Sequence, residues 1–250
     1  MKKLTVASAF IFAALVFTAP AHAETIDCTA ITTLPSIITT QGVYCLTGNL
    51  GTAMTSGHAI TINTNNVVLD LNGFKLAGLA AGLGTNADGI RASNRQNITI
   101  KNGTVRGFLD GILLSDSGGS QGHLVEDIRA DQNTWIGIWV EGAGNIVRNN
   151  QVVATGGTTF FGANADAVGI FVTGAGPRVL NNDVTNTFKQ GTGIAWGIGL
   201  NGVTGGLVVN NRITTADRGI EFLGTGKYRD NLTSGVTTPF TGGTDAGNNN

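Results

Sequence analysis

Charge is what this chain is shortest of. Asp, Glu, Lys and Arg make up 12% of its 250 residues, with 15 basic side chains against 16 acidic ones and only three His. So few cations cannot form a basic stripe, and nucleic acid is not among the partners the sequence indicates. Cys28 and Cys45 are the only cysteines, too far apart for a C-x-x-C redox motif and without nearby His for a zinc site. Beyond the N-terminus no apolar run is long enough to span a bilayer, so no membrane span is expected. Glycine, by contrast, occurs 38 times. That composition suits turns and closely approaching backbones and argues against a helical enzyme.

Residues 1–23 read as a signal peptide, with Lys2 and Lys3, an apolar run over 6–17, and Ala21-His22-Ala23 before the cut. Export would make the protein secreted or periplasmic. Loss of two lysines would leave about 13 basic against 16 acidic residues. An exported chain meets an oxidising compartment, so a Cys28–Cys45 disulfide is expected to staple an N-terminal cap. No Cys directly follows the cut, which argues against a lipoprotein.

The glycines have a rhythm. Gly-Ile recurs at 89–90, 111–112, 137–138, 169–170, 197–198 and 219–220, at intervals of about 22 to 32 residues, the range of solenoid repeats that bury their apolar faces only by stacking. After each Gly, alternation (Ile90/Ala92, Ile112/Leu114, Ile138/Val140, Ile170/Val172, Ile198/Leu200, Ile220/Phe222) predicts a strand with one face buried. The Gly is expected where a Cβ would crowd the turn or the rung above. A second strand is predicted over 97–105, 145–152, 178–184 and 207–213, each carrying Asn102, Asn149, Asn181 or Asn210 in one column. Asn tolerates the left-handed conformation a corner needs, and stacked amides can bond along the axis.

The run Asn66-Val67-Val68-Leu69-Asp70-Leu71-Asn72-Gly73-Phe74, then Asn97-Ile98-Thr99-Ile100-Lys101-Asn102-Gly103-Thr104-Val105, then the Gly-Ile rungs, resembles the bacterial right-handed parallel β-helix repeat proteins of the pectate-lyase-like superfamily. The resemblance implies an all-β, single-stranded right-handed parallel β-helix. About seven rungs are expected, forming a stack of roughly 30 to 35 Å. The expected organisation is a signal peptide (1–23), an N-terminal cap (24–57), the β-helix (58–232) and a C-terminal cap or tail (233–250). The architecture carries lyases, hydrolases, epimerases, phage tailspikes and non-enzymes alike, so it implies contact with polysaccharide more than any one reaction.

Function is then sought on outward positions. The residue after each core Ile gives the column Thr61, Arg91, Leu113, Trp139, Phe171, Gly199, Glu221; the residue two before it gives His58, Asp88, Asp110, Ile136, Val168, Trp196, Arg218. Arg91, Trp139 and Phe171 are the candidate substrate-binding residues, because aromatic faces exchange water for the C–H faces of sugars. Alternatively the loop 154–167 folds over the two rings and buries them. Asp88, Asp110 and His58 are the catalytic candidates, since adjacent carboxylates raise each other's proton affinity. Thr85-Asn86-Ala87-Asp88-Gly89-Ile90 resembles the Asn-Thr-Asp-Gly-Ile rung of the polygalacturonase family, and Asp110 falls where that family has its next catalytic aspartate. The pattern departs afterwards: Leu109 precedes Asp110, Ile136-Gly137-Ile138 stands in place of Gly-His-Gly, and no Arg-Ile-Lys follows. Asp before Gly can equally cap a corner by accepting backbone N–H groups.

A lyase would need a base and a cation; Lys101 and Arg148 flank Glu126 in one column, which is also the pattern of a salt-bridge ladder. No cofactor or metal is expected. Calcium would find carboxylate pairs only at Glu126-Asp127 and Asp88/Asp110, and nothing else supports it. Copper would need more ligands than His58, His123 and Met54 supply. His123, beside Gly122, is expected as an exposed loop residue.

Overall fold

The computed structural model describes residues 27–250, and the expected signal peptide lies outside them. The chain winds as a parallel β-helix: each turn lays short strands on three faces, and each strand pairs in parallel with its counterpart one turn away. On the first face Ile60, Ile90, Ile112, Ile138, Ile170, Ile198 and Ile220 stand in register, one above another. All seven are at most 1% exposed, and each fully buried side chain of this size contributes roughly 1.5–3 kcal/mol.

The seven expected rungs are present, and the ladder extends past them. Ser36–Ile38 pairs below Ser56–Ile62, and Leu232–Thr241 pairs above Arg212–Leu223. Neither outer rung carries Gly-Ile; the upper one places Pro239-Phe240 at that position, with Phe240 opposite Ile220. The stretch expected as a C-terminal tail is therefore largely strand. At the other end the disulfide joins Cys28 to Cys45 with Cα atoms 5.8 Å apart, tying the first strand Thr29–Ile31 to Gly42–Leu46, with which it pairs. Closing a loop of this length contributes about 3 kcal/mol through the unfolded chain.

The segments expected as one second strand each cover two faces: 97–105 is the single strand Ile98–Arg106, bent at Asn102, and 145–152, 178–184 and 207–213 are each divided into two strands. The second face stacks Leu69, Ile100, Val125, Val147, Val179, Val208 and Tyr228. The third stacks Leu76, Val105, Ala130, Val152, Val184 and Ile213. Between them stand Asn102, Asn149, Asn181 and Asn210 at φ 58, 55, 56 and 55°. A single left-handed residue turns the chain through a corner and leaves both sides extended. The glycines before each Ile have a different reason. Their φ is ordinary, but a Cβ on Gly89, Gly111, Gly137, Gly169 or Gly197 would lie 2.5–2.8 Å from the carbonyl oxygen of the next Gly in the stack.

Inside the Asn corner runs a second Asn column. The amide of Asn150 donates to Asn182 Oδ1 at 3.0 Å, Asn182 to Asn211 at 2.9 Å, Asn211 to Asn231 at 3.0 Å and Asn231 to Asn249 at 3.0 Å. Each Oδ1 also accepts the backbone N–H of the residue one turn back, so polar groups 0–2% exposed at Asn150, Asn182, Asn211 and Asn231 are satisfied.

His123 belongs to such a column and is not the exposed loop residue expected. It is 1% exposed. Its Nδ1 accepts the Ile98 N–H at 3.2 Å, its own N–H donates to Asn145 Oδ1 at 2.9 Å, and Nε2 lies 2.7 Å from Ser120 Oγ. The ring takes the acceptor place that an Asn amide takes elsewhere, and burial pushes its pKa down to about 4.

Candidate functional site

Outward positions on the first face follow from a bend at the Gly, with the register unbroken across it. Ladder pairing skips Gly89 and Gly111, so Asp88 pairs with His58 and Asp110 with Ile136 while Ile90 and Ile112 keep their own partners. A Cβ on Gly89 would meet Val105 and Phe108 of the core, so Gly and Ile both face inward there, and the residue two before the Ile and the one after it lie on the same outer side. Both outward columns expected from the sequence are found in register, His58–Asp88 at one end and Trp196–Arg218 at the other.

The lower end of this face is polar. Asp88 Oδ2 accepts a hydrogen bond from Arg91 Nη1 at 3.1 Å, and His58 Nδ1 lies 3.0 Å from the same oxygen, off the hydrogen-bonding direction. Asp88 therefore holds side chains and does not cap the backbone corner. It is 4% exposed and Asp110 2%. Burial raises the Asp88 pKa against the pull of Arg91 and His58. Asp110 is raised further, first by burial and then by the negative charge of Asp88, and its Oδ1 has no partner. Of the two, Asp110 holds its proton to higher pH.

The upper end is aromatic and open. Trp139 and Phe171 are ladder partners, their rings edge-to-face with centroids 5.4 Å apart. Trp135 meets Trp139 at 5.5 Å and Phe161 at 4.8 Å. With Trp196 they line a groove of about 440 Å³ whose floor includes Ile136 and Val168 and whose polar lining comprises Glu141, Asp166, Thr173, Asn201 and Glu221. Gly199 makes the concavity: it stands in the outward column between Phe171 and Glu221 and has no side chain to fill the space. Trp135, Trp139, Phe171 and Trp196 are half-buried. The loop 154–167 does not roof them. It is drawn aside, the Thr159 N–H bonding to Leu83 O at 3.0 Å, and contributes Phe161 to the groove edge through Trp135.

Arg91 lies outside the groove lining and turns to Asp88. The polar and aromatic ends still adjoin, because Asp110 is the ladder partner of Ile136 in the groove floor, one strand spacing of about 4.8 Å away. Sequence reasoning missed Glu141, Thr173 and Asn201. Each stands two residues after a residue of the outward column, so period-two alternation carried that far would have found them. The lyase candidates Lys101 and Arg148 are engaged, Lys101 with Asp70 at 3.2 Å and Arg148 with Glu126 at 2.6 Å. Among the described residues no three His, Cys, Asp or Glu side chains converge to hold a metal ion, and no helix is long and apolar enough to cross a membrane.

Among solved structures, the enzymatically active domain of tailspike protein 2 of bacteriophage CBA120 superposes with a TM-score of 0.59 at 14% identity, over 87% of this chain and 38% of that one. The full-length tailspike protein 2 from an Escherichia coli O157:H7 bacteriophage gives 0.61 at 14% identity, over 87% of this chain and 34% of that one. The chain thus spans little more than a third of these proteins, and the likeness is one of fold. No curated protein matches the sequence. The family model described as "Right handed beta helix region" matches residues 88–238, more than half of the chain and all the Gly-Ile rungs. The chain belongs to the right-handed beta helix family.

Proposed function

We propose that this is an exported protein that binds a polysaccharide along the first face of its β-helix, with the aromatic groove as the principal contact. The observation that carries the reading is the open groove itself: four half-exposed aromatic side chains lie around a floor two aliphatic residues wide, rimmed by carboxylates and an Asn. Flat apolar faces with a few polar acceptors are what a sugar ring, with apolar C–H faces and equatorial hydroxyls, needs from a protein. Binding is favoured over cleavage because Asp88 and Asp110 are almost wholly covered. The test is intrinsic Trp fluorescence across a panel of neutral and acidic oligosaccharides. Trp139→Ala and Phe171→Ala are each expected to weaken binding about tenfold, the equivalent of about 1.4 kcal/mol. If no glycan quenches wild type, or Trp139→Ala binds as wild type does, the reading is lost.

A second reading, hydrolysis, is favoured by one observation: two adjoining carboxyls with unequal proton affinity, next to the groove floor. Asp110 would give its proton to the glycosidic oxygen while Asp88 takes one from the attacking water. Reducing-end release that disappears in both Asp88→Asn and Asp110→Asn supports it; no release by wild type from any glycan it binds rules it out.

A further inference from the structure

We infer that the groove is selective for glycans without carboxylate or sulfate groups, and that uronate polymers are rejected. The inference rests on the glycan-binding reading and specifies its ligand.

The groove lining contains no Lys, Arg or His, and it contains three carboxylates, Glu141, Asp166 and Glu221. The nearest cation along the face, Arg218, is the ladder partner of Trp196, and its charge is paired. Its guanidinium lies over the Trp196 ring, 5.7 Å from the centroid, and its Nη1 donates to Glu221 Oε1. The Trp196 Nε1–H donates to Glu221 Oε2. Glu221 is thus a fork with both oxygens occupied, holding the indole upright in the groove wall and cancelling the charge of Arg218. Arg91, the next cation on this face, is on Asp88.

The other two carboxylates each spend one oxygen on a backbone amide. Glu141 Oε2 accepts the Asp116 N–H at 2.8 Å, and Asp166 Oδ1 accepts the Ile194 N–H at 2.8 Å. That leaves Glu141 Oε1 and Asp166 Oδ2 without a protein donor among the described residues. Acceptors in this state fit hydroxyl or amide donors. A uronate would bring an anion beside two others with no guanidinium or ammonium to receive it, and recognition of sugar carboxylates depends on such groups.

The experiment uses the mature protein and a matched pair of ligands. A panel of neutral oligosaccharides (β- and α-glucans, mannan, xylan, chito-oligosaccharide) is screened by Trp fluorescence. Whichever binder carries primary alcohols is oxidised at C6 to its polyuronate, so that the pair shares one backbone. The neutral member is expected to bind at least tenfold more tightly than the polyuronate at 50 mM salt, the gap narrowing at 500 mM. In the Glu141→Gln/Asp166→Asn double variant the ratio of neutral to polyuronate affinity should shrink several-fold, whatever the change in neutral binding itself. Equal or tighter binding of the polyuronate overturns the inference and leaves glycan binding standing, as does a gap that the double variant does not change. Binding by uronates alone overturns it too. Quenching by no glycan of either kind removes the parent reading and this one with it.

Discussion

Two columns of polar and aromatic side chains climb this molecule, and they differ in kind. At the corner, Asn150, Asn182, Asn211, Asn231 and Asn249 repeat one residue, and each amide is both donor and acceptor to its neighbours. On the outer first face, Arg91, Leu113, Trp139, Phe171, Gly199 and Glu221 occupy equivalent positions with no residue repeated. The repeated column solves a problem that every turn shares, a buried corner whose N–H groups need partners. The varied column answers to no need that every turn shares, and chemistry can be written there one rung at a time. In a solenoid, departure from repetition is therefore the better guide to function.

The sharpest way to break the contrast is to remove one corner residue. Asn182→Ala would strand the Asn150 N–H and side-chain amide and the Val147 carbonyl. At roughly 1–3 kcal/mol per buried orphan, we expect about 4 kcal/mol lost, or a fall of about 8–16 °C in Tm. Leu223→Ala on the groove rim, where the side chain is 58% exposed, should stay within about 2 °C. Thermal unfolding of the two variants decides the matter, and similar values would erase the distinction.

Protonation offers a gentler break. The folded pKa of His123 lies below its unfolded value, at about 4 against 6.5, so the unfolded chain binds more protons between them. The stability that neutral His123 contributes is complete above pH 6.5 and is lost as pH falls toward 4, an effect of about 3 kcal/mol. Urea unfolding at pH 7.5, 5.5 and 4.0 should show this slope in wild type and a flatter one in His123→Asn, which keeps an acceptor that does not titrate in this range. Parallel slopes would show that the ring is not in its acceptor place.

The smallest effect is expected on the outer face and has the opposite sign. The folded pKa of Asp110 is raised, so the native state holds its proton while the unfolded chain has lost it, and the contribution to stability fades as pH rises above the ordinary carboxylate range. Asp110→Asn should raise Tm at pH 7, and by less at pH 4, where the unfolded chain also takes up the proton. A variant less stable than wild type at pH 7 would mean that the bond its carboxylate accepts from the Ile136 N–H outweighs the cost of burying the charge.

Much of this was legible in the chain. The Gly-Ile spacing places both outward columns of the first face to the residue, because a Gly that faces inward beside the core Ile leaves the residues on either side of the pair pointing out. In the sequence the second and third faces look like one strand, because a lone left-handed Asn bends the path by a corner without interrupting the run of β-forming residues. His123 was misplaced because Gly122 and the Ser/Gly-rich stretch before it resemble an exposed loop, and only the neighbouring turns show that its ring fills an Asn position. Trp139 and Phe171 were correctly set on successive rungs. Whether they were covered depended on the path of loop 154–167, which is decided by a backbone bond to Leu83 more than 70 residues earlier, a contact with no local signature.

The Asn column has a direction as well as a composition. From Asn150 to Asn231 each side-chain amide gives an N–H to the next Asn toward the C-terminal end and turns its oxygen the other way, while the same nitrogen also donates to a carbonyl one turn back. Aligned in this way, the small dipoles add as peptide dipoles do along a helix, with the positive pole at the last turn. Asp245 meets it there, its Oδ1 accepting from Asn249 Nδ2 at 2.6 Å. The polarity that the corner accumulates over five turns thus ends on a carboxylate, which closes the stack electrostatically as an acidic residue does at the start of a helix.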